Sequence, residues 1–401
     1  MAPEPAFMYF PDHYRWSHGM LHALGSAPWG GAEIDEVHRI GLRLRGRVGD
    51  DSAWFEEWTR TAGAVERAGR ERAERGHAAS AAAFLFRAAH YYQIGERFLQ
   101  PKTAAGLAAY RRGVDCFRDA AECTRWPRIE TVEVPYEGTA LPALLVHAGP
   151  RGSGTADGRT PAVVFFDGFD ITKEIQYFKG IADLARRGIA CLIVDGPGNG
   201  EAIRFRNLTL HHETERYATP AYEYLARREE IDPSRIGVMA ISLGGYYAPR
   251  AAAFEPRFAA CIAWGAQWDY HAVWKERFDR LARGESPSLS VPWEHLLWIF
   301  GVRTREEALA RLEGFRLEGV VERTACPFLL LHGEGDSQIP LATAQRCFDA
   351  VGSRRKTFKV FTREEGGYHH CQVDNTSIAV AYMWDWLEDV FGLAAPAGAG
   401  R

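Results

Sequence analysis

The sequence predicts an α/β fold in which a mostly parallel sheet carries helices on both faces and follows a separate helical domain. Two observations support this prediction. Between about residues 160 and 361, short apolar runs typical of buried strands alternate with segments of helical periodicity, which is the pattern of a parallel sheet. From about residue 32 to 125 the apolar periodicity is helical instead. The 401 residues are enough for both parts.

The N-terminal helical domain is predicted to span residues 1–126. One face of an early helix carries four apolar residues at the helical spacing of 3.6: Trp54, Trp58, Ala62 and Val65. The later segment from Ala78 to Leu99 is apolar nearly all round. A helix of that kind must be buried in a bundle or beneath another domain.

The α/β domain is predicted to span residues 127–393. It begins with an alternating strand, Ile129 to Tyr136, and a hairpin partner, Leu141 to His147. Six apolar runs then predict buried strands: Pro161 to Phe166, Ala190 to Val194, Ile236 to Ala240, Ala259 to Trp264, Phe328 to His332 and Thr357 to Phe361. The alternation stops at about residues 268–324, where aromatic residues at helical spacing predict an insertion. Residues 394–401 are predicted to be a disordered tail.

Composition limits the class of partner. The formal charge is −4 and the basic residues are scattered, so we expect a small-molecule substrate and neither a nucleic acid nor a membrane as partner. No apolar run reaches the roughly 18 residues of a membrane span, and Met1 to Phe10 does not read as a secretion signal. Seven cysteines without a Cys-x-x-Cys pair favour a reducing cytoplasm and no structural zinc.

One stretch has the shape of a nucleophile elbow. Ile236 to Ala240 reads as a buried strand, Ser242 lies on the turn, and a helix opens at Gly244 and Gly245. Such a turn lifts a serine hydroxyl clear of the backbone, where a histidine can reach its proton and the helix N-terminus favours negative charge. The usual pattern is Gly-x-Ser-x-Gly, and alanine at the first position is small enough for strand and helix to cross closely. Ser242 is therefore the predicted nucleophile.

An activated serine needs a base and an acid that orients the base. Asp336 follows one predicted strand of the C-terminal half, and His369 and His370 follow the next. The chain order Ser242, Asp336, His370 is that of α/β-hydrolases. The structural alternative is that Asp336 caps a helix and that the two histidines are surface loop residues.

The predicted oxyanion hole uses backbone N–H groups. One belongs to Leu243, directly after the nucleophile, and the other should come from the loop Asp167 to Glu174, where Phe169 is the candidate. Asp170 in the same loop is unusual, because a carboxylate beside the hole opposes the charge that the hole stabilises. It either caps the following helix, binds a substrate cation or handles a proton.

A second glycine-rich loop, Asp195-Gly-Pro-Gly-Asn-Gly200, follows a predicted strand. Its glycines are spaced 2 and 2 instead of 2 and 3, and Pro197 lies inside the turn, so we reject a dinucleotide site. We predict a tight loop near the rim of the active site.

Four motifs together resemble one branch of the α/β-hydrolase superfamily, which has an N-terminal helical lid. The branch includes the bacterial 2,6-dihydroxypseudooxynicotine hydrolase and the fungal hydrolases that shorten polyketide pigments. The likeness covers about residues 20 to 390. The motifs are Phe169 to Glu174, Val194 to Glu201, Ile241 to Tyr246 and His370 to Asp374.

The resemblance implies an α/β-hydrolase fold with the helical domain as its lid, neither metal nor organic cofactor, and a homodimer as one form of assembly. It favours His370 over His369 as the base, because the catalytic histidine of this branch precedes a cysteine. Reactions of the branch include cleavage of carbon–carbon bonds flanked by carbonyls. Related proteins of polyketide pathways eliminate an acetate group.

The leading hypothesis is a cytoplasmic serine hydrolase that cleaves an ester or a carbonyl-flanked C–C bond of a bulky aromatic or polyketide-like small molecule. Two alternatives stay open: a lyase that eliminates an acyl or acetate group on the same scaffold, and a non-catalytic binding protein. Four aromatic residues are candidates for the walls of the substrate pocket: Trp268, Phe278, Trp293 and Trp298.

Overall fold

The computed structural model describes residues 7–149 and 158–394, and the chain divides into two compact units. The first unit comprises Met1–Ile129, Glu174–Lys179 and Lys275–Ala310, and the second comprises Glu130–Lys173, Gly180–Trp274 and Arg311–Arg401. Part of the predicted insertion therefore groups with the helical unit. Apart from Ala394, the tail predicted to be disordered lies outside the described residues.

The N-terminal part of the described chain is helical, and α1 is a helix that the sequence did not predict. The helices before the first strand are α1 (Tyr14–Leu24), α2 (Ile34–Leu44), α3 (Asp51–Glu74), α4 (Ala78–Glu96) and α5 (Ala104–Cys123). Helix α3 starts after Asp50, whose side chain accepts bonds from Ser52 N and Ala53 N at 3.0 Å each. The four residues predicted to share one face of this helix are all buried: Trp54, Trp58, Ala62 and Val65.

Helix α4 lies at the centre of the helical unit, as its apolar sequence predicts. Every residue from Leu85 to Glu96 is buried. A buried carboxylate ties three helices together, because Glu66 of α3 accepts bonds from Tyr92 of α4 at 2.8 Å and from Arg112 of α5 at 2.5 Å. A charged partner and a second hydrogen-bond donor together satisfy a group that burial would otherwise penalise.

The second unit is built on an eight-stranded sheet in the spatial order β1-β2-β4-β3-β5-β6-β7-β8. Its strands are β1 (Ile129–Tyr136), β2 (Thr139–Val146), β3 (Thr160–Phe166), β4 (Ala190–Val194), β5 (Ile231–Ile241), β6 (Ala260–Trp264), β7 (Phe328–Gly333) and β8 (Lys356–Phe361). Strands β2 and β4 pair antiparallel, and all pairings from β4 to β8 are parallel. The predicted α/β-hydrolase fold with a mostly parallel sheet is confirmed.

Helices connect the strands in the order that the sequence predicts. They are α6 (Lys173–Tyr177), α7 (Ile181–Arg186), α8 (Gly200–Arg206), α9 (Glu215–Ala226), α10 (Gly244–Phe254), α11 (Tyr270–Ala282), α12 (Glu294–Phe300), α13 (Arg305–Leu312), α14 (Leu341–Ala350) and α15 (Thr376–Phe391). Helices α6 and α7 are separate, since Gly180 between them takes a left-handed conformation with φ of 76°.

Parallel strands bring their carboxyl ends to one edge of the sheet. The loops after β3, β5, β7 and β8 carry the predicted oxyanion loop, nucleophile, acid and histidines in turn. This edge is where the sequence places the active site. Of the helices described, none is long and apolar enough to cross a membrane.

Candidate active site

The turn between β5 and α10 is a nucleophile elbow. Ser242 has a φ of 61°, which is strained for a residue with a side chain. A Cβ at Gly245 would lie 1.9 Å from the carbonyl oxygen of Gly265, and a Cβ at Gly244 would lie 2.4 Å from the Cβ of Ala240. Alanine is therefore tolerated at the start of the motif because glycine at position 244 leaves room for its methyl group.

Three side chains from three strand-end loops meet beside this turn. Ser242 Oγ lies 2.8 Å from His370 Nε2, and His370 Nδ1 lies 2.7 Å from Asp336 Oδ2. The histidine and aspartate side chains are 5% and 1% exposed, so water screens their interaction little. The arrangement can pass the serine proton to the imidazole, whose cation the carboxylate can stabilise.

The Asp336 carboxylate is oriented by the loop that carries it. Its Oδ1 accepts bonds from Gln338 N at 2.8 Å and Ile339 N at 2.9 Å, which leaves Oδ2 for the imidazole. Burial opposes the charge, but His370, the nearby His332 and the Ile339 N–H outweigh burial and lower the pKa of Asp336. The acid is therefore ionised at neutral pH.

The histidine beside Ser242 is His370. Burial opposes its protonation, but the Asp336 carboxylate outweighs burial and raises the pKa of His370 well above the usual value. The ring of His369 lies against Tyr368 instead, with ring centroids 4.1 Å apart. Burial lowers the pKa of His369.

The loop that carries His370 is shaped by members of the motif His370 to Asp374 whose roles were not predicted. Cys371 and Gln372 both have positive φ, 51° and 50°. The Gln372 side chain accepts a bond from Trp264 Nε1 at 2.7 Å, and both groups are buried. Asp374 accepts the N–H groups of three preceding loop residues, Gly367, Tyr368 and His369, at 2.9–3.2 Å. The motif that begins at His370 was visible in the sequence, but the role of its later members was not.

The predicted oxyanion loop approaches the elbow closely. A Cβ at Gly168 would lie 2.7 Å from the Ile241 carbonyl oxygen and 3.1 Å from the Ser242 Cβ. Phe169 is the next residue after this contact. Leu243 lies directly before the first residue of α10, where the helix itself supplies no acceptor for the backbone N–H groups. The two predicted N–H donors thus belong to segments that meet at Ser242.

Asp170 is half-buried in the same loop. Helix α6 begins at Lys173, so the residue before its first turn is Thr172 and not Asp170. Asp170 thus lies two residues ahead of that position, and its capping role stays a prediction. Its roles toward a substrate cation or a proton stay predictions.

The oxyanion loop is tied to the glycine-rich loop after β4. Lys173 donates from N and Nζ to the two oxygens of Asp195, both at 2.9 Å, and Nζ also reaches Glu201 at 2.7 Å. Burial opposes the charge of Asp195, but the Lys173 ammonium and the N–H donors lower the pKa of its carboxyl. A Cβ at Gly200 would lie 2.0 Å from that carboxylate, so only glycine fits there. The loop that superficially suggested a dinucleotide site is a structural support.

Two of the four predicted pocket aromatics pack on each other within the helical unit. Phe278 and Trp293 have centroids 5.9 Å apart, and the guanidinium of Arg305 lies over both rings. The ring of Trp298 faces Lys102 at 5.2 Å. Their role as substrate walls stays a prediction.

Trp268, in the α/β unit, lines a surface pocket of about 540 Å³ in which Arg346 lies over its ring. None of the described residues that line this pocket belongs to the Ser-His-Asp set. Two aromatic rings beside the oxyanion loop are those of Tyr270 and Trp274, whose centroids lie 6.3 and 5.5 Å from that of the Phe169 ring. No pattern in the sequence separated these two residues from the other aromatics of the insertion. Among the described residues, no group of three or more His, Cys, Asp or Glu side chains could hold a metal ion.

Two family models each match more than half of the chain. The prolyl oligopeptidase family matches residues 175–394, and the family described as "Esterase FrsA-like" matches residues 45–281. Both are α/β-hydrolases, and the sheet and the elbow have the form that this class requires. The chain belongs to the α/β-hydrolase family and is an enzyme of the hydrolase class.

Within this family, the chain is similar over nearly its whole length to curated hydrolases. It is 29% identical to hydrolase acrC of Aspergillus aculeatus, over 96% of this chain and 98% of the relative. It is 30% identical to 2,6-dihydropseudooxynicotine hydrolase of Paenarthrobacter nicotinovorans, over 90% and 91%. A crystal structure of 2,6-dihydroxy-pseudo-oxynicotine hydrolase matches with a TM-score of 0.75 and 27% identity, over 92% of this chain and 95% of that one. The resemblance inferred from the four motifs is confirmed.

Proposed function

We propose that the protein is a serine-dependent hydrolase that cleaves an ester or a carbonyl-flanked C–C bond in a bulky aromatic or polyketide-like small molecule. The observation that carries this proposal is the continuous hydrogen-bonded chain from Ser242 Oγ through His370 to Asp336. In this geometry one imidazole can remove the serine proton while the buried carboxylate stabilises the resulting cation.

The first half of the reaction forms an acyl-enzyme. Ser242 Oγ bonds to the substrate carbonyl carbon as His370 Nε2 takes the hydroxyl proton, and the carbonyl π electrons move to oxygen. The N–H groups of Leu243 and Phe169 then donate to this oxyanion. When the carbonyl re-forms, the bond to the leaving group breaks, and His370 returns its proton to the departing alkoxide or enolate carbon.

The second half regenerates the enzyme. His370 removes a proton from water as the water oxygen bonds to the acyl carbon, and the same two N–H groups hold the second oxyanion. The bond from Ser242 Oγ to the acyl carbon then breaks, and the imidazole returns the proton to the serine. The net reaction adds one water across the cleaved bond, and no oxidant or metal takes part.

Two observations support the substrate class. One relative, 2,6-dihydropseudooxynicotine hydrolase, is named for an aromatic substrate. The resemblance in the four motifs extends to fungal hydrolases of polyketide pigments. Next to the oxyanion loop, the buried rings of Tyr270 and Trp274 contact Phe169. Aromatic side chains are the usual lining of sites for apolar ligands.

All seven cysteines are free, and we infer that the enzyme works in the cytoplasm.

Covalent labelling tests the nucleophile. Intact-protein mass spectrometry after treatment with a fluorophosphonate should show one adduct on the wild type and none on Ser242→Ala. The matched control is Ser80→Ala, an exposed serine on α4 that should label like the wild type. Hydrolysis of a p-nitrophenyl ester should fall by about 10⁶-fold in Ser242→Ala, the scale on which serine hydrolases lose rate without their nucleophile.

Two outcomes would overturn the proposal. Labelling of folded Ser242→Ala as fast as the wild type would place the nucleophile elsewhere. Full turnover of a β-diketone by Ser242→Ala would indicate direct attack of water on the carbonyl, and loss of acetate from an acetoxy substrate by that variant would indicate an elimination. Neither reaction needs an acyl-enzyme.

A further inference from the structure

The side chain of Asn199 holds the loop that carries the second oxyanion donor. Its Nδ2 donates to the carbonyl oxygens of Gly168 at 2.8 Å and Ile171 at 3.3 Å. These carbonyls lie on either side of Phe169 and Asp170. The residue is only 5% exposed, so water competes little for these two bonds.

The bond to Gly168 sets the direction of the Phe169 N–H. The Gly168 carbonyl and the Phe169 N–H belong to one planar trans peptide, so they point in opposite directions. A donor that fixes the carbonyl on one side therefore fixes the N–H on the other. Rotation of this peptide would turn a carbonyl oxygen, instead of an N–H, toward the developing oxyanion.

Glycine makes this restraint necessary. Position 168 must be glycine, because a Cβ there would lie 2.7 Å from the Ile241 carbonyl oxygen. Glycine also leaves the adjoining peptide unusually free to rotate. The glycine that lets the loop approach the elbow thus leaves its peptide free to rotate, and another group has to hold that peptide in one orientation.

Asn199 makes these bonds instead of a more common one. It precedes the first residue of α8, where asparagine normally accepts a bond from the first turn of its own helix, but its side chain makes no such cap. The Glu201 N–H is satisfied by Asp195 Oδ2 at 2.9 Å. The main chain of Asn199 is itself fixed, since its N–H donates to Gly196 O at 3.0 Å.

We propose that Asn199 is a positioning residue that sets the Phe169 N–H as an oxyanion donor. The inference rests on the proposed function, and it assigns to the glycine-rich loop a part in the reaction. Asn199 touches neither Ser242 nor His370 by a hydrogen bond, so its effect passes through the Gly168 peptide.

The test compares variants at this position in the full-length enzyme. Asn199→Leu keeps the approximate shape and removes the donors, and Asn199→Asp keeps the shape but sets a charge against two carbonyl oxygens. We expect kcat for a p-nitrophenyl ester to fall about 10²- to 10³-fold, the usual loss for one oxyanion donor, with KM changed less than about threefold. The maximal rate of fluorophosphonate labelling should fall by a similar factor. Asn207→Asp, an exposed asparagine after α8, is the matched control and should behave as the wild type.

A smaller variant keeps the test decisive if leucine does not fit. Asn199→Ala makes neither bond, so its kcat should also fall about 10²- to 10³-fold at a melting temperature close to that of the control. A folded Asn199→Ala or Asn199→Leu with kcat within twofold of wild type would overturn the inference. Loss of labelling in Ser242→Ala together with such a result would leave the proposed function standing and remove only the role of Asn199.

Discussion

The two sides of Ser242 are built in different ways. On one side, which we call the base side, the groups that would react are side chains, His370 and Asp336, and each bonds directly to the next. On the other, the oxyanion side, the proposed donors are backbone N–H groups of Leu243 and Phe169. Side chains on that side, such as those of Asn199 and Asp195, bond to the backbone and hold it in place.

This difference predicts two kinds of failure. A reacting side chain on the base side can be replaced by one of the same shape, which removes rate from a protein that stays folded. On the oxyanion side, the supporting groups include a buried ion pair, so substitutions there should cost stability as well as rate. Substitutions on each side can therefore sharpen or break the comparison.

Among substitutions on the two sides of Ser242, Asp336→Asn on the base side should have the largest effect. The substitution preserves shape but removes the charge that stabilises the imidazolium, and the amide can hold the wrong tautomer of His370. We expect kcat to fall about 10⁴-fold while the melting curve stays close to that of the wild type. Steady-state kinetics and calorimetry measure the two quantities. Asp349→Asn, at an exposed position on α14, is the control, and a loss below tenfold in Asp336→Asn would contradict the proposed role.

Lys173→Met tests the oxyanion side. It leaves Asp195 as a buried carboxylate without its ammonium partner, where both side chains are at most 1% exposed. We expect the free energy of unfolding in urea to fall by about 3–5 kcal/mol. Lys275→Met, which breaks an exposed pair with Asp279, should leave stability nearly unchanged. Equal stability of the two variants would show that the support is not needed for folding.

A smaller effect is expected from Gln372→Leu, behind the base. The Trp264 indole N–H loses its acceptor inside the core, so the unfolding free energy should fall by about 1–3 kcal/mol. The activity should fall as well, because the bond holds the loop that carries His370. Gln345→Leu, on the exposed face of α14, is the control. Unchanged stability in Gln372→Leu would indicate that another group reaches the indole.

The smallest expected effect is a shift in the pH profile. Only neutral imidazole can accept the serine proton, so kcat/KM should rise with pH through the pKa of His370. Because Asp336 raises that pKa, the acidic limb should have its midpoint above 6.5, the usual histidine value. In Asp336→Asn the residual activity should show this limb at lower pH. An acidic limb with the same midpoint in Asp336→Asn and the wild type would mean that a group other than His370 sets this midpoint.

Much of the base side could be predicted from the sequence, because reacting side chains leave a pattern of residue types after strands. Ser242, Asp336 and His370 follow three predicted strands in the order of one fold class, and the structure brings the three together. The choice between His369 and His370 needed the resemblance. The turn of the loop depends on positive φ at Cys371 and Gln372, and neither residue is one from which that conformation is expected.

Less of the oxyanion side could be predicted. Backbone donors are present at every position, so the sequence suggested Phe169 only from its place in a loop. Asn199 lay in a loop that we predicted to be a tight loop near the rim of the active site. Its bonds to Gly168 and Ile171 could not be predicted, because they join segments about 30 residues apart. Among the pocket aromatics, periodicity indicated burial but not which rings would face which group.

A crystal structure of the fluorophosphonate adduct would test the central claim most directly. We predict that the phosphorus is bonded to Ser242 Oγ and that the phosphonyl oxygen lies about 2.7–3.1 Å from the N atoms of Leu243 and Phe169. His370 should remain between the serine and Asp336, and Asn199 should still hold the Gly168 carbonyl. An adduct on another residue, or a phosphonyl oxygen turned away from both N–H groups, would contradict the account.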